Sequence, residues 1–214
     1  MISRLHYITQ QTEKFSHTEL VEFACKGGVN WVQLRVKDIE YDVWKKIAIE
    51  TQVVCKKYHA TFIINDNVQL VKEITADGVH LGLNDMHPKE ARKFLGDNFI
   101  IGGTAHNLEE AKFQIENEVD YIGIGPYQFT STKTDLSEIL GLNGIDKIIK
   151  EVKKKIPFIA IGGIKVDDIQ SLQGVGIYGV AVSSAINLAN DISASAKDFV
   201  DAINKKQSQN INSN

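Results

Sequence analysis

The fold is decided by a stretch in the first half of the chain, residues 61–81, which read TFIINDNVQLVKEITADGVHL. Residues 61–65 form a short run that is too continuously apolar to keep one face in water, as in a parallel strand covered by helices. Residues 78–81 form a second short run, and the segment between the two has helical spacing. The stretch therefore predicts one strand–helix–strand unit of a parallel sheet.

The same unit repeats along the chain. Helical spacing recurs in residues 42–58, 108–118 and 192–203, among others. Eight strand–helix pairs in 214 residues leave roughly 27 residues a pair, which predicts an α/β fold, a single compact (β/α)8 TIM barrel. A doubly wound sheet is the weaker alternative, because it usually has fewer strands and no Gly-x-Gly-x-x-Gly follows the first strand. The predicted strands are 5–8, 31–35, 61–65, 78–81, 99–104, 121–125, 158–161 and 178–183.

Composition narrows the class of protein. With 43% hydrophobic and 24% charged residues, the chain can bury a sizeable core, which excludes disorder along its whole length. We expect residues 1–204 to form one catalytic barrel domain, and the polar residues 205–214 to form a frayed, disordered tail. The net charge of −3 argues against a nucleic-acid-binding face, although a local basic cluster can still hold phosphate.

Cellular location is predicted from what the sequence lacks. No stretch reaches the 18 or so apolar residues that span a bilayer, and Met1–His6 lacks the long apolar run of a signal peptide. Only Cys25 and Cys55 are present, so a disulfide framework or a zinc site is improbable. We therefore expect a cytoplasmic protein with no membrane partner. The oligomeric state stays open, with a homodimer as one option.

Gln33, Arg35 and Lys37 occupy alternate positions at the end of the second predicted strand. Because side chains alternate across a strand, the three share one face, and the aliphatic residues between them pack against helices. Long polar residues can simply cap a barrel mouth, but three inward polar groups without a ligand carry a heavy desolvation cost. An arginine and a lysine in a barrel mouth suit a phosphate or pyrophosphate.

Asn-Asp pairs follow the third and fourth strands, as Asn65-Asp66 and Asn84-Asp85. Carboxylates that leave adjacent strands can meet around one hard cation, and Mg²⁺ takes one or two carboxylates plus substrate phosphate oxygens. Asn-Asp is also a turn or helix-cap dipeptide, so each pair alone has a structural interpretation. Beside the basic trio, a metal with pyrophosphate is the better interpretation. Asp77 lies at the amino end of its strand and is predicted to serve a turn.

The fifth strand leads into a polar loop. Thr104 can donate a hydroxyl to a ligand, and His106 can either carry a proton or satisfy local hydrogen bonds. Asn107 is predicted to cap the next helix, with Glu110 completing a capping box. These residues add to the polar groups at the carboxyl ends of the strands, where barrel enzymes hold their active sites.

The last three strands carry features of a phosphate site. Thr130-Ser131-Thr132-Lys133 places three hydroxyls and an ammonium in a long loop, which is typical of an anion-binding segment. Gly162-Gly163 and Ser183-Ser184 follow strands seven and eight, whose loops commonly cradle a phosphate through backbone N–H groups. Two anionic groups with a metal between acid residues suggest the joining of two phosphorylated molecules, or displacement of a pyrophosphate.

From the first strand to about Ile203, the chain resembles the thiamine-phosphate synthase (thiamine-phosphate pyrophosphorylase) family. The resemblance is specific as an ordered set, although Ala-Ile-Gly-Gly-Ile alone occurs in many phosphate-binding barrels. The matching motifs are Gln33-Leu34-Arg35-Val36-Lys37-Asp38, Ile64-Asn65-Asp66, Ala76-Asp77-Gly78-Val79-His80-Leu81-Gly82, Asp120-Tyr121-Ile122-Gly123-Ile124-Gly125-Pro126, Thr130-Ser131-Thr132-Lys133 and Ala160-Ile161-Gly162-Gly163-Ile164.

The resemblance implies a transferase that uses Mg²⁺ to join a pyrimidine-methyl pyrophosphate to a thiazole phosphate, releasing pyrophosphate by a dissociative mechanism. Arg35, Lys133 and Asn65 would be catalytic, and Asp66 and Asp85 would hold the metal. The pyrimidine pyrophosphate would contact Gln33, Arg35, Lys37, Asn65, Thr104 and Lys133. The thiazole phosphate would contact Thr130 and Thr132 together with Gly163, Ser183 and Ser184, and Ser131 would be a further substrate-binding residue.

The chain departs from the family pattern at three places. Thr104 stands where many members have serine, Phe129 replaces a usual proline, and Leu83-Asn84 precedes Asp85 where Gln-Glu is common. A thiazole tautomerase, in which a histidine at the place of His106 moves a proton, is the alternative within the superfamily. That family lacks Gln33 and the Thr-x-Thr-Lys loop. A non-catalytic phosphate-ligand binder is the alternative from another class, and it would be favoured by loss of the metal carboxylates.

Overall fold

The computed structural model of the protein describes residues 2–130, 138–152 and 154–205. Eight parallel strands close into one barrel, in which each strand pairs with its neighbours in sequence and the eighth pairs with the first. The predicted (β/α)8 barrel is confirmed, and the strand ends differ from the predicted ones by one residue at most. The strands are β1 (Leu5–Ile8), β2 (Trp31–Leu34), β3 (Thr61–Asn65), β4 (Gly78–Leu81), β5 (Ile100–Ala105), β6 (Tyr121–Ile124), β7 (Phe158–Ile161) and β8 (Gly179–Val182).

Helices connect the strands around the outside of the barrel, and local caps determine several of their ends. Ser16 begins the first helix with a capping box to Glu19, and Asp191 accepts a bond from the Ala194 N–H at 2.9 Å. The helices are α1 (His17–Lys26), α2 (Tyr41–Lys57), α3 (Val68–Ile74), α4 (Pro88–Leu95), α5 (Leu108–Glu116), α6 (Gly141–Glu151), α7 (Ile169–Gly174), α8 (Ser184–Asn187) and α9 (Ile192–Asn204).

Alternation along the strands divides the buried residues into two cores. Val32 and Leu34 of β2 face outward into the large core between the barrel and its helices. Trp31 belongs instead to a smaller cluster inside the barrel, together with Ile63, Tyr121, Ile159 and Ala181. Trp31 and Tyr121 begin their strands, so the interior cluster fills the amino half of the barrel. The carboxyl ends of the strands are left to line a cavity.

The amino end of the barrel carries a structural acid, as the sequence predicts. The Asp77 carboxylate accepts a hydrogen bond from the Phe62 backbone N–H at 2.7 Å and so joins the start of β4 to β3. Among the described helices, none is long and apolar enough to cross a membrane. The last helix, α9, ends at Asn204, and the predicted domain of residues 1–204 stays a prediction. The predicted tail lies outside the described residues except for Lys205, and it stays a prediction.

Candidate active site

Two adjoining pockets open at the carboxyl ends of the strands. The inner pocket, with a cavity volume of about 110 Å³, reaches into the barrel and extends to the loops after β7 and β8. The outer pocket, of about 620 Å³, lies over the ends of β2 to β5. Arg35, Asn65, His80 and His106 line both, so the two cavities meet along one shared wall.

The structure brings together the predicted site residues that it describes, from segments far apart in sequence. Arg35 and Asn65 lie on the shared wall. The inner pocket holds Gln33, Thr130, Gly163, Ser183 and Ser184, and the outer pocket holds Lys37, Asp66, Asp85 and Thr104. The predicted contacts Ser131, Thr132 and Lys133 lie outside the described residues.

Asp66 and Asp85 both line the outer pocket, and their carboxyl groups are close enough to affect each other's pKa. Asp66 also lies 2.5 Å from the Lys37 ammonium, and Asp85 accepts the Gly82 N–H at 2.6 Å. Burial, and then the neighbouring Asp66, raise the pKa of Asp85 to about 6. Burial opposes ionisation of Asp66 as well, but Lys37 and the hydrogen bond with Asp85 hold its pKa below the usual value. Asp66 is therefore the ionised partner of Lys37, and Asp85 keeps a proton more readily.

This acidic pair fits a divalent cation. Two neighbouring carboxylates repel each other, and a shared proton relieves that repulsion. A cation bound at the same place would relieve it as well. Two carboxylates are also too few to enclose an ion, and the described residues contain no cluster of three or more metal-binding side chains. Mg²⁺ suits such a set, because it keeps several waters and accepts substrate phosphate oxygens. Asp66 and Asp85 would hold it.

Hydrogen bonds to Thr9 fix the end of β2, whose polar side chains enter the pockets. Thr9, at the end of β1, accepts the Arg35 N–H on its hydroxyl at 3.0 Å, and its own N–H donates to the Gln33 carbonyl at 3.0 Å. Gln33 is 2% exposed, and its Nε2 has no hydrogen-bond partner among the described residues. A buried amide donor left unpaired at a cavity wall costs free energy that a ligand acceptor would recover.

Backbone close to the ends of β7 and β8 forms the other side of the inner pocket. Gly162 and Gly163 both have positive φ, at 94° and 66°. A Cβ on Gly163 would lie 2.6 Å from the Phe129 carbonyl oxygen, so a side chain cannot be added there without moving the loop after β6. That loop is joined to the glycines by the Gln128 N–H, which donates to the Gly162 carbonyl at 3.0 Å.

Several pocket residues were missed by the sequence analysis. His80 bridges the two pockets, because its Nδ1 lies 3.0 Å from the Tyr121 hydroxyl and its Nε2 lies 3.0 Å from the Thr104 hydroxyl. His6 stacks on Trp31 at 3.8 Å in the inner pocket, and burial followed by the charge of His80 lowers its pKa, so the ring is neutral. Strand parity could have indicated the position of His6. Trp31 precedes Gln33 by two residues on β2, so both side chains lie on the same face, and His6 stacks on Trp31.

His106 is held at the shared wall by Glu110. The Glu110 carboxylate accepts the His106 N–H at 2.7 Å and lies 3.1 Å from its Nδ1, while its other oxygen accepts from the Asn107 side chain at 2.7 Å. Asn107 caps α5 as predicted, by accepting the Glu110 N–H at 2.9 Å. The predicted capping box is wrong in its second half, because Glu110 bonds the backbone one residue before the cap.

Fold and pockets together define a (β/α)8-barrel enzyme whose site joins basic and acidic side chains around a space for anionic small molecules. A sequence profile described as thiamine monophosphate synthase matches residues 5–186. The chain belongs to this family, whose members are transferases of thiamine biosynthesis.

Individual relatives agree with the profile over nearly the whole chain. A thiamine-phosphate synthase of Phocaeicola vulgatus is 47% identical over 196 residues, which cover 90% of this chain and 94% of the relative. One from Flavobacterium psychrophilum is 46% identical and covers 87% of this chain and 92% of its own. The solved thiamine phosphate pyrophosphorylase of Pyrococcus furiosus superposes with a TM-score of 0.85 at 32% identity, covering 94% of this chain and 95% of that one.

Proposed function

We propose that the protein couples 4-amino-2-methyl-5-(diphosphooxymethyl)pyrimidine with thiazole phosphate, giving thiamine monophosphate and pyrophosphate. The observation that carries this proposal is the shared wall between the two pockets. Arg35 and Asn65 line both cavities, so a group bound in the outer pocket and a ring bound in the inner pocket would meet at these residues. A reaction that breaks a bond to pyrophosphate and forms one to a second molecule needs such a junction.

The outer pocket would take the leaving pyrophosphate. Arg35 supplies a permanent positive charge with a planar set of donors, and Lys37 adds a second cation beside Asp66. Lys133, which follows β6 in sequence and lies outside the described residues, would complete the positive charge around the departing group. These groups bind the anion more strongly as its charge develops, which lowers the barrier to bond breaking.

Asp66 and Asp85 would hold Mg²⁺ in the outer pocket. The ion, when bound, would neutralise charge on the pyrophosphate and make it a better leaving group. Lys37 would keep Asp66 ionised for that purpose, since its ammonium lies 2.5 Å from the carboxylate. Thr104 and Asn65 line the same cavity and would orient the pyrophosphate.

The inner pocket would hold the pyrimidine and thiazole rings so that they face each other. The unpaired Gln33 amide suits the nitrogen atoms of an aminopyrimidine, whose electron-rich ring stabilises the cation left by pyrophosphate. Gly163, Ser183, Ser184 and Thr130 would bind the phosphate of the thiazole, so that its nitrogen faces that cation. No protein nucleophile is required, and the chain's contribution is positioning and charge stabilisation.

Coupling is expected to require both substrates and a divalent cation. With the two phosphorylated substrates and Mg²⁺, the protein should release pyrophosphate, and it should release none with either substrate alone. Chelation by EDTA should abolish release, and added Mg²⁺ should restore it, because the anionic Asp66 and Asp85 repel the leaving pyrophosphate unless a cation lies between them. Chromatography of quenched reactions, with thiamine monophosphate and pyrophosphate both quantified, measures this without a second Mg²⁺-dependent enzyme in the mixture. Undiminished release in EDTA would contradict the metal assignment.

Lys133→Ala is expected to slow the reaction about 10²-fold in kcat by removing a donor from the leaving group. Lys133→Arg keeps the charge and serves as the matched comparison, with a smaller loss expected. Both variants are followed by steady-state release of pyrophosphate. An unaltered rate in Lys133→Ala would mean that the loop after β6 is scaffold only.

The alternatives make different predictions. A thiazole tautomerase would use His106 and would exchange a substrate proton without any pyrimidine substrate, while a non-catalytic binder would bind phosphates and turn over neither. The acidic pair and Gln33 favour coupling over both alternatives.

The proposed partners are small molecules, and neither nucleic acids nor membranes. A homodimer remains a hypothesis, which sedimentation analysis tests.

We also propose a cytoplasmic location. Cys25 and Cys55 are both buried and unpaired, and burial raises the pKa of the Cys25 thiol to about 12. Thiols in this state suit a reducing compartment.

A further inference from the structure

A chain of buried and half-buried hydrogen bonds runs from β1 to the end of β8, at the wall of the inner pocket. The Tyr7 hydroxyl donates to Asn187 Oδ1, and both residues are buried. Asn187 Nδ2 lies 3.2 Å from the Ser183 hydroxyl oxygen, and that hydroxyl lies 3.1 Å from Gln10 Oε1. Ser183 is the member of this chain that lines the pocket.

The direction of these bonds is determined by two carbonyl groups. Asn187 Nδ2 lies 2.8 Å from the Ile8 carbonyl oxygen and 2.9 Å from the Ser183 carbonyl oxygen. A carbonyl oxygen can only accept, so the amide nitrogen must be on this side and the amide oxygen must face Tyr7. The Tyr7 hydroxyl is therefore the donor in its bond with Asn187.

Ser183 is oriented as a consequence. Asn187 Nδ2 has two hydrogens for three acceptors, so the hydrogen that points to Ser183 is shared between the carbonyl and the hydroxyl oxygen of that residue. The hydroxyl oxygen thus accepts through a lone pair, and its own proton points away, toward Gln10. A serine hydroxyl can bind a phosphate oxygen only as a donor. An isolated serine would have to give up other rotamers and other bonds to present its proton, whereas this one is already held in the donating orientation.

We propose that Asn187 and Tyr7 are positioning residues for substrate binding: Asn187 orients the Ser183 hydroxyl as a donor to the phosphate of the thiazole substrate, and Tyr7 fixes the Asn187 amide. The inference rests on the proposed function, because it takes the ligand of Ser183 to be that phosphate. Gln10 accepts the Ser183 proton until the phosphate takes its place. β1 supplies Tyr7 and the register that holds it, with Tyr7 paired to Val182 of β8.

The test is a double-mutant cycle on thiazole phosphate binding, measured by isothermal titration calorimetry. Tyr7→Phe is expected to raise the dissociation constant about fivefold, the effect of losing one buried hydrogen bond. Ser183→Ala should raise it at least as much. If Tyr7 acts through Ser183, the double variant Tyr7→Phe/Ser183→Ala should bind no more weakly than Ser183→Ala alone. Additive losses would overturn the proposal.

Tyr178→Phe is the matched control, because the Tyr178 hydroxyl also donates to a single acceptor, the Ile2 carbonyl at 2.7 Å, but at the amino end of β8. Its binding constant should equal that of the unmodified protein. The KM for the pyrimidine pyrophosphate should be unchanged in Tyr7→Phe, and an equal rise in both KM values would indicate general damage and contradict the proposal.

The double variant Tyr7→Phe/Asn187→Leu covers the case in which Tyr7→Phe folds poorly. It replaces both partners of the buried bond by apolar groups of similar shape and removes the donor to Ser183 without adding a charge, so it should weaken thiazole phosphate binding by about fivefold or more, again with no further loss when Ser183 is alanine. Unchanged binding in this variant would also overturn the proposal. If the unmodified protein neither binds thiazole phosphate nor releases pyrophosphate, the proposed function fails instead.

Discussion

Asp66→Asn is expected to lower kcat for coupling about 10³-fold, because metal coordination contributes several kcal/mol to stabilising a leaving phosphate group. Asparagine keeps the shape of the side chain but removes the charge that Lys37 now balances at 2.5 Å. The dissociation constant of thiazole phosphate should change by about twofold at most, since a screened charge in the outer pocket acts weakly on a ligand of the inner one. Single-turnover kinetics and calorimetry measure the two effects separately.

Asp77→Asn is the control for this variant. It makes the same chemical change at the opposite end of the barrel, where asparagine can still accept the Phe62 N–H through its amide oxygen. Its kcat should stay within about twofold of the unmodified protein, since it lies outside both pockets. Equal losses of kcat and of thiazole phosphate affinity in Asp66→Asn would count against the division of labour between the pockets.

Strand-level features of this fold were predictable because they follow from local patterns. The run Phe62-Ile63-Ile64 is typical of a strand buried on both sides, and eight such runs favour few architectures. The parity of Gln33 and Arg35 was equally local, since alternation along β2 puts them on the same face as Trp31. Because strand ends meet at one rim of a barrel, the approach of Asp66 to Asp85 followed from the fold.

Contacts between distant side chains were not predictable in this way. His80 belongs to the motif of residues 76–82, but its bonds to Tyr121 and Thr104 depend on the barrel radius and on Gly123, where a Cβ would lie 3.2 Å from the His80 ring. Glu110 was assigned to a capping box because its spacing fits one. The structure instead uses it to hold His106, a choice made by side-chain rotamers that the spacing does not encode.

The end of β1 is a second place where a contribution to the site could not be predicted from the sequence. No residue of this strand had a predicted role, because His6 and Tyr7 belong to none of the motifs that the sequence offers. Its backbone and side chains nevertheless hold both pockets: Thr9 binds the Arg35 N–H, and Tyr7 binds Asn187. Groups that position others are uncharged and buried, so they look like core residues until the hydrogen bonds are known.

Arg35→Met is expected to lower kcat for coupling by about 10²–10³-fold, the loss typical of removing one preorganised donor to a developing anion. Methionine keeps much of the length and apolar stem, so the shared wall should stay filled while its charge is lost. Arg35→Lys should lose less, about tenfold, because it retains the charge without the planar set of donors. Pyrophosphate release under saturating substrates gives kcat for both variants.

The control for Arg35→Met is Arg92→Met, which removes an arginine from the amino end of the barrel. Arg92 donates to the Phe99 carbonyl at 2.5 Å and to the Asp120 carboxylate at 2.7 Å, far from either pocket. This variant should lose thermal stability and keep its kcat, whereas Arg35→Met should keep its stability and lose kcat. If Arg35→Met instead lost thermal stability and kept its kcat, Arg35 would support the barrel mouth and not the leaving group. The outer pocket would then lack the cation assigned to the pyrophosphate.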